Sequence, residues 1–253
     1  MAFHGKVALI TGGGSGIGRL HAQELAKTGA TVAILDVNEQ GLEETAKESA
    51  NIHPYVCNVT DLSAVELVVE TVSQDHGPVD RLIVCAAIMP GGALMESKAD
   101  LLNNIMHINY GGMVNICQSV VPGMLARNHG DVIIYGSTAG ILPVERFGGY
   151  GATKAASNFY AKVLIRENRG SAVRFQLVCP PAVDTPLINQ VKENGPEFLK
   201  TIQQTRRNLA TPQQVVRSVE KCLERGRALN YPGPARYVRW LHGIWPGLLR
   251  RFA

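Results

Sequence analysis

Lys6-Val7-Ala8-Leu9-Ile10-Thr11-Gly12-Gly13-Gly14-Ser15-Gly16-Ile17-Gly18 is the stretch on which the fold turns. Its first six residues form a short apolar run ended by glycines, the pattern of a strand buried on both faces, and such strands belong to parallel sheets. Glycines 12, 16 and 18 then carry the chain into a helix that runs through Leu25. Backbone N–H groups and the positive end of that helix face whatever sits before the turn, which suits a pyrophosphate. The same glycines also read as a tight strand-to-helix connection with no ligand.

Downstream, strand and helix keep alternating. Thr31-Val32-Ala33-Ile34-Leu35 reads as a second strand ending in Asp36. An acid about 20 positions past such glycines accepts hydrogen bonds from the adenosine ribose hydroxyls and repels a 2′-phosphate, which favours NAD over NADP. Asp36 also reads as a cap for the helix that follows from Asn38, and Arg19 is the nearby cation that would soften the preference. Further strands are expected at His53–Cys57, Leu82–Cys85, Asp131–Gly136, Val173–Cys179 and Leu229–Tyr231. Helices are expected at Asp61–His76, at Leu101–His129 with a break or kink near Pro122, at Tyr150–Asn168 and from Thr211 through Leu223. This alternation implies an α/β fold with a doubly wound parallel sheet in a single domain, residues 1–234.

Tyr150-Gly151-Ala152-Thr153-Lys154 puts a phenol and an ammonium four positions apart on one helix face. A free phenol titrates near ~10, but an adjacent cation favours phenolate and draws the pKa toward neutrality. The pair reads as an acid/base device, although such pairs also arise by chance on solvated helices. Ser137 stands thirteen residues earlier, where the fifth strand ends.

Taken together, the G-x-x-x-G-x-G spacing of Gly12 to Gly18, Asn109 within His107-Ile108-Asn109-Tyr110-Gly111, Ser137 and the Tyr150/Lys154 pair resemble the short-chain dehydrogenase/reductase family. The likeness runs over about residues 5 to 233 in the family's order. It implies a Rossmann-like, NAD(H)-dependent oxidoreductase that interconverts a secondary alcohol and a ketone. In that scheme Tyr150 exchanges the hydroxyl proton, Lys154 lowers its pKa and binds the nicotinamide ribose, and Ser137 holds the substrate oxygen. Asn109 bends its helix and orders a water linking Lys154 to solvent. Gly12, Ser15, Gly16, Ile17 and Gly18 cradle the cofactor, with Asp36, Asn58, Val59 and Ala86 along its adenosine side. Val183 and Thr185 contact the nicotinamide carboxamide.

Three positions depart from the family's pattern. Asn58 replaces an aspartate, Val84-Cys85-Ala86-Ala87 replaces Asn-Asn-Ala-Gly, and Pro180-Pro181-Ala182 replaces Pro-Gly-x. The Pro-Pro pair resembles the ketosphinganine-reductase branch, which uses NADPH, and Asp36 argues against simple identity. The departures leave a second reading open, a non-catalytic nucleotide-binding or scaffold protein on the same fold. A third, an epimerase or dehydratase like the longer relatives, is disfavoured by chain length and glycine spacing.

The 253 residues, 45% hydrophobic and 18% charged, fit one globular domain and disfavour disorder. Five cysteines without a C-x-x-C pair read as buried thiols in a reducing cytoplasm, so neither disulfides nor a metal is expected. No signal peptide or membrane span is expected. The net charge of +4 comes from Arg236, Arg239, Arg250 and Arg251 in residues 235–253, a segment without acids. Nothing in that pattern suggests nucleic acid. The same tail spaces Tyr237, Leu241, Ile244, Trp245, Leu248 and Phe252 as on a helix. It either packs on a neighbouring subunit or lies in a membrane interface. Apolar residues at Met89, Leu94, Met95, Ile141, Leu142, Val144 and Phe147, and an apolar lid expected at 186–208, point to a hydrophobic alcohol or ketone substrate, steroid-like or lipid. Arg146 and Arg206 are the single cations that would reach it, and the resemblance implies a homodimer or homotetramer.

Overall fold

The computed structural model describes residues 3–191, 195–196 and 209–244, with the backbone alone for 239 and 241–244. Seven strands, β1 (Val7–Thr11), β2 (Thr31–Asp36), β3 (Ile52–Val56), β4 (Arg81–Val84), β5 (Asp131–Tyr135), β6 (Arg174–Val178) and β7 (Leu229–Asn230), pair in parallel in the order β3-β2-β1-β4-β5-β6-β7. The described helices are α1 (Gly16–Ala26), α2 (Glu39–Ala46), α3 (Leu62–His76), α4 (Ala99–Met106), α5 (Gly112–Arg127), α6 (Gly148–Glu167), α7 (Pro212–Glu224) and α8 (Ala235–Ile244).

The continuous apolar strands are explained by helices on both faces. Val7 and Leu9 of β1 point into a core shared with Val65 and Val72 of α3, Ile116 and Met124 of α5 and Ala161 of α6. Ala8 and Ile10 point the other way, against Ala22 and Leu25 of α1, Leu42 of α2 and Val219 of α7. Each such leucine or isoleucine contributes about 1.5–3 kcal/mol by leaving water. Strand order reverses between β1 and β4, and the crevice outside their carboxyl ends is where open α/β sheets bind ligands.

At the opposite end of the sheet, Arg81, Asp131 and Arg174 open β4, β5 and β6 side by side. Arg81 is 0% exposed. It donates to Asp131 Oδ2 from Nε and Nη2 (3.0 and 2.7 Å) and to Glu220 Oε1 of α7 (2.7 Å). Arg174 reaches both Asp131 oxygens at 2.6 and 2.9 Å. This buried network escaped the sequence reading, although three charged residues heading three adjacent strands were its visible sign.

The long helix expected over 101–129 is not broken at Pro122. It runs through Pro122 to Arg127, and its irregularity is a π turn at His107–Gly111 between α4 and α5. Pro122 and Gln118, whose carbonyl loses its helical partner, are both exposed, so the lost bond falls on the face of α5 open to solvent. Val120, Val121 and Met124 stay packed on the sheet. The lid expected at 186–208 lies outside the described residues except for a 3-10 turn at Pro186–Val191 and residues 195–196. Arg206 falls outside them too, as does the tail beyond 244. Within α8, Tyr237 and Trp240 are exposed, Trp240 at 62%. Among the described residues no helix is long and apolar enough to cross a membrane.

Candidate active site

A cleft of about 730 Å³ opens at the carboxyl ends of β1, β4, β5 and β6. Gly12, Ser15, Gly16, Ile17, Gly18, Asp36, Asn58, Val59, Ala86, Ser137, Tyr150, Lys154, Val183 and Thr185 all line it. Asn109 does not; it stands behind the wall.

The glycine turn forms one end. Gly12 has a φ of +71°, and a Cβ there would come within 2.8 Å of Ala86 N, so the turn after β1 touches the chain leaving β4. Ser15, the N-cap of α1, is extended, and its side chain makes no capping bond. The helix therefore presents its positive end to the cleft without a carboxylate to neutralise it, an arrangement that fits an anionic pyrophosphate. Among the described residues no cluster of three His, Cys, Asp or Glu side chains could hold a metal ion.

Asp36 closes this end. Its Oδ2 accepts from Gly14 N (3.0 Å) and its Oδ1 from Asn38 N (3.1 Å). Capping of α2 falls instead to Asn38, whose side chain accepts from Gly41 N. Arg19 does not face the cleft. Its Nη2 donates to the carbonyls of Gly14 and Gly41 and pairs with Glu44 Oε2 at 3.0 Å. The guanidinium beside Glu44, with help from Gln40, holds that carboxyl below its ordinary pKa. Asn58 lines the cleft, but its Oδ1 already accepts from Thr60 N and Oγ1 at 3.1 and 2.9 Å.

The buried face of α6 builds the other end. Tyr150, Thr153, Lys154, Ser157, Asn158 and Ala161 recur at helical spacing and are all buried. Ser137 follows β5 and accepts Ala139 N at 3.1 Å through Oγ; it lines the same cleft as Tyr150, close enough to draw the phenol's pKa down. Lys154 Nζ lies 5.9 Å from the centre of the Tyr150 ring and donates to the Tyr135 carbonyl at 2.8 Å.

The electrostatics differ from the sequence expectation. Burial pushes the Tyr150 phenol up to about 12, with Ser137 only partly opposing it. Burial also drives Lys154 down to about 8. The predicted depression of the phenol by the amine is thus outweighed in this arrangement: both groups lose water, and the ammonium is engaged by the Tyr135 carbonyl.

Two buried asparagines fasten the walls. Asn109, in the π turn, accepts from Ile88 N (2.8 Å), donates to Ile88 O (2.9 Å) and reaches Thr153 Oγ1 (3.1 Å). Its two amide hydrogens are thereby spent on protein. Asn158 does the same for Ser137, accepting from its N–H at 3.3 Å and donating to its carbonyl at 3.0 Å. The sequence reading passed over Asn158, though its position one turn after Lys154 on the same face was the available signal.

The remaining wall is apolar. Ile88, Met89, Leu142, Val144, Phe147, Leu187 and Ile188 line the cleft. Gln190 Oε1 accepts Met89 N at 2.6 Å and ties the Pro186–Val191 turn across it. Leu94, Met95 and Ile141, expected here, do not line the cleft; Met95 is 95% exposed. Arg146 approaches Glu96 at 3.9 Å.

A family model described as short chain dehydrogenase matches residues 6–195. The 3-oxoacyl-acyl-carrier-protein reductase FabG of Thermotoga maritima is 33% identical over 201 residues, spanning 78% of this chain and 82% of that one. Epidermal retinol dehydrogenase 2 of Mus musculus is 28% identical over 251 residues, 96% of this chain and 79% of its own. A solved short chain dehydrogenase/reductase from Burkholderia phymatum in complex with NAD superposes with a TM-score of 0.85 at 26% identity, covering 96% and 95% of the two chains.

Proposed function

This chain belongs to the short-chain dehydrogenase family, and from that premise we propose that it interconverts a hydrophobic secondary alcohol and its ketone, using NAD(H) in preference to NADP(H). The observation that carries the reading is that Ser137, Tyr150 and Lys154 line one cleft together with the uncapped α1 terminus and Asp36.

A nicotinamide cofactor supplies the hydride chemistry when bound. Gly12 to Gly18 hold its pyrophosphate and Asp36 its adenosine ribose, with Asn58, Val59 and Ala86 beside the adenosine. Lys154 binds the nicotinamide ribose, and Val183 and Thr185 the carboxamide. Ser137 donates to the substrate oxygen, and Tyr150 carries the proton to and from it. Burial makes the neutral phenol the resting form, so Tyr150 starts as the donor in ketone reduction; in alcohol oxidation it first loses its own proton toward solvent and then accepts the substrate's. Lys154, cationic below about pH 8, is the nearby positive charge for the phenolate that forms. Asn109 holds the Ile88 wall of the cleft and the end of the water relay.

The apolar wall supports a lipid-like or steroid-like substrate, in keeping with relatives named for a 3-oxoacyl group and for retinol. A panel of lipophilic secondary alcohols with NAD and NADP in parallel tests the reading. NADH formation with at least one alcohol, and weaker turnover with NADP, is expected; no reduction of either cofactor across the panel favours the non-catalytic alternative.

The tail carries a separate proposal. Tyr237 and Trp240 are exposed beside Arg236, and residues 235–253 hold four arginines and no acid. This supports peripheral contact with an anionic membrane. Flotation with phosphatidylserine vesicles should carry the full chain and leave one ending at Gly233 behind; equal partitioning favours subunit packing, in a homodimer or homotetramer.

A further inference from the structure

Asn158 lies outside the proposed proton-transfer machinery, yet the loop after β5 is wrapped around its carboxamide. Besides the two bonds that bracket the Ser137 peptide unit, Asn158 Oδ1 accepts from Cys179 Sγ at 3.4 Å, where β6 ends. The loop is shaped to admit it. A Cβ at Gly136 would collide with Asn158 Oδ1, and one at Gly140 would come within 2.6 Å of Asn158 Nδ2. Asn158 is 2% exposed and stands one helical turn beyond Lys154, two turns beyond Tyr150.

We propose that Asn158 is a positioning residue for Ser137, holding its hydroxyl in register with the Tyr150 phenol by gripping the Ser137 backbone from the same helix that carries the phenol. The inference rests on the proposed role of Ser137. The physical case is one of rigidity. Ser137 sits on a connection between β5 and a 3-10 turn, which is softer than either strand or helix. Two bonds to a helix side chain convert that connection into part of α6. Small misplacements of a group that must meet a reacting atom cost large factors in rate.

The test is a double-mutant cycle with the fastest secondary alcohol of the panel. Ser137→Ala alone reads the underlying proposal: an unchanged kcat removes Ser137 from the chemistry. Given a loss there, Asn158→Ala in the native background should lower kcat by about 10- to 100-fold, with KM for NAD within about twofold. In the Ser137→Ala background the same substitution should cost less than about threefold, because the residue it positions is gone. A merely structural role predicts the same factor in both backgrounds, and that result, or an unchanged kcat in Asn158→Ala, overturns the inference. Asn158→Ser, polar but too short to reach, is the second variant and should show the same dependence on Ser137 if Asn158→Ala does not fold.

Discussion

The Lys154 ammonium donates to the Tyr135 carbonyl at 2.8 Å while standing 5.9 Å from the centre of the Tyr150 ring. It is anchored to the strand that delivers Ser137, so strand β5 and helix α6 are joined at the point where the proposed chemistry occurs. The cost is a buried cation, and that cost has a pH signature.

Burial lowers Lys154 from 10.5 to about 8. Between those values the unfolded chain binds the proton and the folded chain does not, so this group makes stability rise with pH across the window. Tyr150, raised by burial from 10.0 to about 12, acts oppositely only above pH 10. Burial also raises the Cys85, Cys117 and Cys179 thiols, which oppose that rise once the pH passes their ordinary value near 9.0, so the signature is a difference between two proteins. Urea unfolding near pH ~7.5 and ~9.5 should show the stability of the native chain relative to Lys154→Met growing by on the order of 2 kcal/mol. Parallel pH profiles in the two proteins would mean that the amine is not buried.

Arg81 bridges Asp131 and Glu220 with no exposure to water. Removing one partner of such a network strands the others, so Arg81→Met should cost about 3–5 kcal/mol in chemical denaturation. Cofactor affinity should be unchanged at temperatures where the variant is folded, because the network lies at the far end of the sheet.

Asn109→Ala leaves the N–H and the C=O of Ile88 without their partners. A loss of roughly 2–4 kcal/mol in stability follows if both groups stay buried. Because Ile88 and Met89 form the apolar wall, KM for the alcohol should rise more than KM for NAD.

Glu44 occupies Arg19, whose guanidinium shares the Gly14 peptide with Asp36: the cation takes the carbonyl, the carboxylate takes the N–H. With Glu44→Gln the cation near the ribose pocket is no longer offset. NADPH should then bind about three- to tenfold tighter, NADH about equally, and the change should shrink in high salt as screened charges require. Calorimetric titration of both cofactors measures it; equal shifts for the two would point to a disturbed turn instead.

Most of the scaffold and much of the cleft could be read from residue order because both depend on local signals. The apolar runs at Val7–Thr11 and Asp131–Tyr135, the glycine turn and the i, i+4 pair of Tyr150 and Lys154 each announce themselves within a few residues. What stayed hidden depends on distant neighbours. Asn158 looks like a neutral helix residue until Ser137 is folded against it, and Arg81 becomes a buried cation only when Asp131 and Glu220 arrive from 50 and 139 residues away. Pro122 misled because its lost bond falls on the face of α5 open to solvent, while the other face stays packed on the sheet. The direction of the Tyr150 shift was misjudged for a similar reason: helical spacing brings the amine near but says nothing about burial or about the Tyr135 carbonyl that captures it.

The central claim is that the Tyr150 phenol moves the substrate proton beside a bound nicotinamide. Tyr150→Phe tests it most directly, because the ring and its packing remain while the oxygen is lost. With the fastest alcohol of the panel, kcat should fall by about 10²- to 10⁴-fold, while calorimetric affinity for NADH stays within about threefold. Equal turnover by the native protein and Tyr150→Phe would contradict it.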